Sequence, residues 1–417
     1  MNDLPVWAVR LRGERRSRDW SLKDMARHLV DAAGDHSRDH LPTRESLIRM
    51  IRSWEAGKHR PSEPYPQLFA RAFGVDEADL FGEPDAHPRE LSSLSDEAID
   101  LAAWIEKTNV GNSTITMLDE ATHCLAEHHT RIPPRRMLAD VTRVHRQTRA
   151  LLRGGKQRLH QTRELLRIDA DLLAHACILL GDLHDDEAAI VNGMTAVLCA
   201  DEADSNMASA LSAQAKTERW RRRYAVSADV ARRGFDCSPP TPVRTLLAGQ
   251  EANAAGLLGD FGRAREALRR AEDAAATVAA DSGLSPWSCP RPRQTLFMLS
   301  VALRAGDPEE ALRAAEMADA AWASGEPYVF GTWAQIRFGA ANAYVMMGDL
   351  HGAAGQIAPV MSMPPELRMA TVTYYPTEMD ARLQDRRFYG SEIAASLREQ
   401  IREFNSAALS AVVEGDV

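Results

Sequence analysis

Residues 256–271 read GLLGDFGRAREALRRA, and they carry the clearest fold signal in the chain. Small and apolar residues precede a Gly-Asp pair, and an amphipathic pattern follows it. Glycine supports the left-handed backbone of a tight turn, and aspartate caps the helix that begins after the turn. The stretch therefore predicts two helices joined at Gly259–Asp260.

The same pattern occurs three more times along the chain. It is found at 178–190 (ILLGDLHDDEAAI), at 303–318 (LRAGDPEEALRAAEMA) and at 345–358 (VMMGDLHGAAGQIA). The glycines of successive copies are 78, 47 and 42 residues apart, and a degenerate copy at 218–235 would divide the longest interval. A repeat of about 40 residues built from two helices predicts an α-solenoid.

These copies resemble the tetratricopeptide family, most clearly at 246–273, although their period is longer than that family's repeat. The resemblance implies stacked helix pairs whose first helices line a concave groove. Six residues before each glycine lies a polar residue, and an Asn at the equivalent place in the family often binds the backbone of a peptide. The resemblance thus implies ligand contacts by His175, Asn253, Ser300 and Asn342. The alternative is that these side chains bond to neighbouring helices.

The first 82 residues predict five short helices. Apolar spacing indicates a first helix at about 5–18, a third at 44–56 and a last turn at 76–81. The second helix is expected to begin after a cap at Asp19 or Ser21, and the fourth after a cap at Ser62. This compact group of helices predicts a separate N-terminal domain.

The helix at 44–55, RESLIRMIRSWE, has two contrasting faces. Leu47, Ile51 and Trp54 share one face at 100° per residue. The opposite face carries polar and basic side chains, namely Glu45, Ser46, Arg49, Arg52 and Ser53. Such a face fits a DNA major groove, where Arg binds guanine and Ser contacts base edges or phosphate. A solvated face in a helical bundle is the alternative.

The helix order, the segment WEAGKHRPS (54–62) and the closing segment LFARAFGVDEADLFG (68–82) resemble the Xre/Cro-type helix-turn-helix family. The resemblance implies a lambda-repressor-like domain whose third helix enters the major groove. The residues it implies in DNA contact are Ser21, Arg44, Ser46, Arg49, Met50, Arg52, Ser53, Lys58, His59 and Arg60. The segment Ala32–Pro42 is longer than the family's turn and leaves the register of the base-facing residues open.

Together the two resemblances predict an all-α protein with a helix-turn-helix domain at 1–82, a helical connector at 83–160 and a tetratricopeptide-like domain at 161–417. This architecture resembles the RRNPP-type quorum-sensing regulators. It implies a homodimeric transcriptional regulator that binds operator DNA and holds a signalling peptide or small molecule in its groove. The alternative is a protein-interaction scaffold with a degenerate helix-turn-helix.

Charge and composition agree with an anionic partner for one end of the chain. The net charge is −9, yet residues 1–62 carry +4 and the remainder −13. Residues 131–167 contain 11 basic and 2 acidic side chains, which predicts either a solvated linker helix or added contacts to phosphate or to the DNA-binding domain.

Other function classes find little support in the sequence. No nucleophile–base arrangement or phosphate-binding loop occurs, so we expect neither an enzyme nor a cofactor. The five cysteines are scattered, and the His-Cys pair at 123–124 lacks metal-ligand spacing, so we expect no metal. With no apolar run long enough for a membrane span and no signal-peptide pattern, we expect a cytoplasmic protein.

Overall fold

The computed structural model describes residues 4–34, 41–82, 88–278 and 281–413. Throughout these ranges the protein is all-α, without a β-strand. The chain divides into two compact units, Met1–Ile105 and Glu106–Val417, called the N-unit and the C-unit below. In the described ranges no helix is both long enough and apolar enough to cross a membrane.

The N-unit contains a group of short helices near the predicted positions. They are α1 (Val6–Ser17), α2 (Leu22–Ala32), α3 (Arg44–Glu55), α4 (Tyr65–Phe73) and α5 (Glu77–Phe81), followed by α6 (Pro88–Glu106). Of the two caps predicted for α2, Asp19 and Ser21, the structure confirms Ser21. The predicted cap at Ser62 is wrong, because α4 begins only at Tyr65 and Pro64 occupies the cap position. Much of the Ala32–Pro42 segment lies outside the described residues.

The apolar face of α3 is the centre of the N-unit core. Leu47, Ile51 and Trp54 are buried, as their spacing predicted. The indole of Trp54 packs against the rings of Tyr65 and Phe69 on α4, with centroids 4.7 and 5.8 Å apart. Aromatic pairs at such distances stabilise a core beyond their buried area alone. This packing fixes the orientation of α3, so that its other face points outward.

The C-unit is a succession of helices joined by turns and loops. They are α7 (Asn112–Glu127), α8 (Pro134–Gly154), α9 (Leu159–Asp182), α10 (Asp186–Glu202), α11 (Ala208–Trp220), α12 (Tyr224–Cys237), α13 (Pro242–Leu258), α14 (Phe261–Ala275), α15 (Arg291–Ala305), α16 (Pro308–Ala323), α17 (Phe330–Met347), α18 (Leu350–Ile357), α19 (Ala370–Arg382) and α20 (Glu392–Val413). From α9 to α18 each odd-numbered helix packs on the even-numbered helix that follows it. Each of the odd-numbered helices α9 to α17 also packs on the next odd-numbered helix. The odd-numbered helices therefore form a continuous layer.

The basic helix α8 belongs to the C-unit. Its apolar face, with Met137, Val141 and Val144, is buried against α7 and α9. Most of its arginines lie on the exposed face. The structure thus places this helix in a packed layer with one solvated basic face.

Three of the four predicted Gly-Asp turns are confirmed. Gly259, Gly306 and Gly348 have φ of 80°, 78° and 87°, and each ends a helix. The carboxylate of the following aspartate accepts a hydrogen bond from the backbone N–H three residues on, at 2.8–3.0 Å. Left-handed glycines and aspartate caps satisfy the free backbone groups at these helix ends.

The prediction of a turn at Gly181–Asp182 is wrong. Both residues lie within α9, which continues to Asp182. The left-handed residue is His184, with φ 67°, and Asp185 caps α10 through a bond to the Ala188 N–H. The turn is therefore shifted by three residues, and the Asp182 side chain becomes free for another role.

The degenerate copy at 218–235 contains the expected turn. Arg222, with φ 60°, separates α11 from α12. Left-handed residues thus occur at 184, 222, 259, 306 and 348, at intervals of 38, 37, 47 and 42. The helix pairs repeat at nearly regular intervals even where the sequence signal is weak.

Candidate functional sites

The outward face of α3 is basic and polar. Glu45, Arg49 and Arg52 are exposed, and Ser46 and Ser53 are half-buried at the edge of the face. Arg49 donates from Nη2 to the Ser46 hydroxyl at 3.3 Å, a long hydrogen bond. The guanidinium of Arg49 is therefore held only weakly and can bind an external acceptor.

The residues after α3 are split between solvent and the domain. Lys58 and His59 are exposed. The Arg60 guanidinium donates to the Phe81 carbonyl oxygen and lies over the Phe81 ring, 5.8 Å from its centroid. The Lys58 side chain is therefore more accessible than that of Arg60, which contacts the last turn of its own unit.

The predicted contacts near α2 are occupied by the protein itself. The Ser21 backbone N–H and hydroxyl both donate to the Asp24 carboxylate, at 3.1 and 2.6 Å. These bonds hold the pKa of Asp24 below its usual value. Arg44 donates to the Lys23 carbonyl oxygen at 3.3 Å, and Met50 is half-buried against the core. This end of α2 presents a carboxylate as well as N–H groups.

The four polar residues predicted for the groove are buried, and each of them takes part in a hydrogen bond within the protein. The Asn342 amide donates to the carbonyl oxygens of Phe338 and Tyr375. Ser300 donates to the Asn253 Oδ1 at 2.9 Å. His175 Nε2 lies 3.1 Å from His129 Nδ1, and burial lowers the pKa of His175 to about 4.

A cavity of about 170 Å³ lies in the C-unit, against the layer of odd-numbered helices. Asn253 is the one predicted groove residue among those that line it, and its amide nitrogen donates to no acceptor among the described residues. Apolar side chains supply much of the wall, including Ile132, Ile178, Trp220, Leu296, Phe297, Phe330, Met363, Leu367 and Met369. The prolines of the loop before α15 complete one side.

Three cationic side chains meet in this cavity: Lys216, Arg219 and Arg293, called the cationic cluster below. Lys216 Nζ bonds to both oxygens of Asp182 at 2.9 Å, and these side chains are 13% and 2% exposed. Burial lowers the pKa of Lys216, and the charges of Arg293 and Arg219 lower it further while Asp182 raises it. Both arginines therefore lie within electrostatic range of Lys216.

The two arginines of the cationic cluster have no ion pair with a carboxylate in the described part of the chain. Arg293 donates from Nη1 to the carbonyl oxygens of Pro286 and Ser288, at 3.0 and 2.6 Å. The guanidinium of Arg219 lies over the Trp220 ring, 4.1 Å from the centroid. Burial lowers the pKa of both arginines. The cavity wall therefore carries more positive than negative charge.

The sequence did not predict the cationic cluster. The Gly-Asp pattern predicts a helix cap at Asp182, and the repeat pattern at 218–235 predicts no role for its arginines. The available signal was the sequence ASALSAQAKTERW of α11, where Lys216 lies one turn after the buried Ser212 on a small-residue helix face. A cation on a buried helix face generally requires a partner or a ligand.

Within the described residues no group of His, Cys, Asp and Glu side chains is arranged to hold a metal ion. No protein-family model and no curated protein matches the chain. The two sites are therefore interpreted from their own geometry and charge.

Proposed function

We propose that the chain is a sequence-specific DNA-binding transcriptional regulator whose C-unit senses a peptide or small-molecule signal, mediates dimerisation, or both. The observation that carries the proposal is the two-sided helix α3. Its face with Leu47, Ile51 and Trp54 is buried, and its opposite face presents Arg49 and Arg52 to solvent. The proposal keeps the resemblance of the N-unit to the Xre/Cro-type family and of the C-unit to tetratricopeptide repeats.

The chemistry of the α3 face suits a DNA duplex. A major groove admits one α-helix, and an arginine held near the middle of such a helix can bind the O6 and N7 atoms of guanine. Arg52 and Lys58, which are exposed near the end of α3, would contact phosphates. In this arrangement Arg49 specifies sequence, and Arg52 and Lys58 supply affinity that does not depend on sequence.

A homodimer on paired half-sites fits the small size of the N-unit. One small DNA-binding domain buries too little surface for high specificity, and two-fold symmetric proteins solve this with two half-sites. A ligand in the C-unit would alter DNA affinity only by as much as its own affinity differs between two conformations of the dimer.

The proposal is tested by mapping bound DNA across the source genome and measuring affinity for a recovered site by fluorescence anisotropy. We expect the full chain to bind that site at least about a hundredfold more tightly than random DNA. Arg49→Ala should weaken specific binding by about tenfold to a hundredfold, because a bidentate guanine contact contributes on the order of 1–3 kcal/mol. The exposed Arg71 on α4 supplies the matched control, since Arg71→Ala should change affinity less than about twofold.

The scaffold alternative has one observation in its favour. The Asp24 carboxylate occupies the N–H and hydroxyl of Ser21, where a helix-turn-helix protein would bind phosphate. If no recovered site is preferred over random DNA, or if Arg49→Ala and Arg71→Ala weaken binding equally, the regulator proposal fails. Partner proteins that stay bound after nuclease treatment would then favour the scaffold.

A further inference from the structure

We propose that the C-unit cavity binds a small organic acid with an apolar body, and that the cationic cluster holds its carboxylate. The inference rests on the proposed function in naming the ligand class of the sensing unit. It is argued from the charge, the free donors and the apolar wall of the cavity.

The first argument is the excess of positive charge. Lys216, Arg219 and Arg293 face one carboxylate among the residues that line the cavity, that of Asp182. Both Asp182 oxygens accept hydrogen bonds from Lys216, so the Asp182 charge is balanced by that lysine and not by the arginines. The nearby Asp281 carboxylate accepts the backbone N–H groups of Gly283 and Cys289. Enclosed cations in excess are stabilised by an added anion.

The second argument is the set of donors that remain. Arg219 makes no hydrogen bond among the described residues, and Arg293 uses Nη1 for two carbonyl oxygens. An arginine fork binds a carboxylate through two parallel hydrogen bonds that are stronger than those between neutral groups. The free groups in the cavity are thus donors, and they suit a ligand that offers acceptors.

The third argument is the remaining wall. Phe297, Phe330 and Met363 are among the apolar side chains that line the cavity. A pocket with a mostly apolar lining and a few convergent polar groups is typical of small-molecule sites. The volume of about 170 Å³ corresponds to on the order of a dozen water-sized positions, which suits a medium-sized acid rather than a long peptide.

The test uses octanoate as the probe, with two matched compounds. Octanamide has the same apolar body without the charge, and acetate has the charge without the apolar body. Isothermal calorimetry on the full chain should show octanoate binding about tenfold or more tightly than octanamide, since a charged hydrogen bond exceeds a neutral one by about this factor. It should also show octanoate binding about tenfold or more tightly than acetate, which buries too little apolar surface. An apolar tripeptide with a free or an amidated carboxyl terminus distinguishes a peptide source of the same carboxylate.

Variants then locate the binding. Arg219→Met and Arg293→Met should each weaken octanoate binding about tenfold, and Arg219→Lys should retain part of the affinity. Arg265 lies on the exposed face of α14, and Arg265→Met should leave octanoate affinity unchanged. If a methionine variant does not fold, as judged by circular dichroism, the comparison of octanoate with octanamide on the unaltered chain still decides.

Two results would overturn the inference: equal binding of octanoate and octanamide, or no octanoate binding at all. Neither result affects the regulator proposal, because specific DNA binding by the ligand-free chain is measured separately. Conversely, octanoate binding without any specific DNA site would leave the cavity assignment standing and remove the regulator.

Discussion

The N-unit and the C-unit both gather arginines, but they place them in opposite environments. Arg49 and Arg52 on α3 are exposed to water and, apart from one long bond of Arg49 to Ser46, lack partners on α3 itself. Arg219 and Arg293 line a cavity in which burial lowers their pKa. Water screens the first pair, so an anion binds there weakly unless many contacts add up. The second pair has lost much of its hydration, so a single anion can be bound tightly.

Under the two proposals, the difference teaches how the same side chain would serve two kinds of recognition. A long polyanion such as DNA supplies many phosphates, so exposed cations suffice to bind it and an enclosed site is not needed. A small acid supplies one charge, and only an enclosed site of low dielectric makes the attraction of that single charge strong enough for binding.

The largest expected effect comes from removing the carboxylate that pairs with Lys216 of the cationic cluster. Asp182→Asn leaves Lys216 enclosed beside two arginines without its partner. We expect the free energy of unfolding of the C-unit to fall by about 3–5 kcal/mol, the usual cost of an uncompensated buried charge. Chemical denaturation followed by circular dichroism measures it.

The control is an exposed pair on α12. Arg232 and Asp236 are 41% and 55% exposed, so Asp236→Asn should change stability by no more than about 0.5 kcal/mol. Burial lowers the pKa of Lys216, and a lysine whose folded pKa is depressed gains stability as the pH rises. The deficit of Asp182→Asn should therefore shrink as the pH rises above neutrality towards the ordinary lysine pKa of about 10.4. A deficit as small as that of Asp236→Asn would show that the cluster is well hydrated.

The two sites also differ in how far the sequence could predict them. The bounds and the buried face of α3 follow from local spacing, because Leu47, Ile51 and Trp54 recur on one helix face and Gly57 ends the run. Asp182 and Arg293 line the same cavity, but they belong to α9 and α15, which are far apart in the chain. No local sequence pattern predicts that two such residues lie close together.

The missed turn has a similar cause. Gly181 resembles the other turn glycines in sequence, yet it is buried within α9, where a Cβ atom would lie 3.8 Å from the Trp220 ring. That is an ordinary van der Waals distance, so the packing against α11 does not require a glycine at 181, and His184 takes the left-handed position instead. Local sequence does not distinguish a glycine that lies inside a helix from one that ends a helix in a left-handed turn.

The second prediction concerns salt. Exposed arginines on α3 imply DNA affinity that falls about a hundredfold or more between roughly 50 and 200 mM salt, because binding releases counterions from each neutralised phosphate. Octanoate affinity for the cavity should fall by less than about threefold over the same range, since enclosed charges are screened much less. Anisotropy and calorimetry on one preparation measure the two slopes. Equal slopes would contradict the assignment of the cationic cluster to an enclosed site.

The smallest expected effect compares two left-handed glycines, one in each unit. Gly57 has φ 68°, and an added Cβ would lie 2.6 Å from the Pro5 Cδ. Gly306 has φ 78° with open space around it. Gly306→Ala should therefore cost about 1 kcal/mol for the left-handed backbone alone.

Gly57→Ala should cost about 2–3 kcal/mol, because displacement of Pro5 adds to the backbone strain. Hydrogen exchange, followed by mass spectrometry on the full chain, measures the loss of stability in each unit separately. The amides of α3 report on the N-unit and those of α15 on the C-unit. Gly57→Ala should also weaken DNA binding, since Gly57 joins α3 to the exposed Lys58, whereas Gly306→Ala should leave it intact. A Gly57→Ala chain that bound DNA normally would mean that the turn after α3 does not position a phosphate contact.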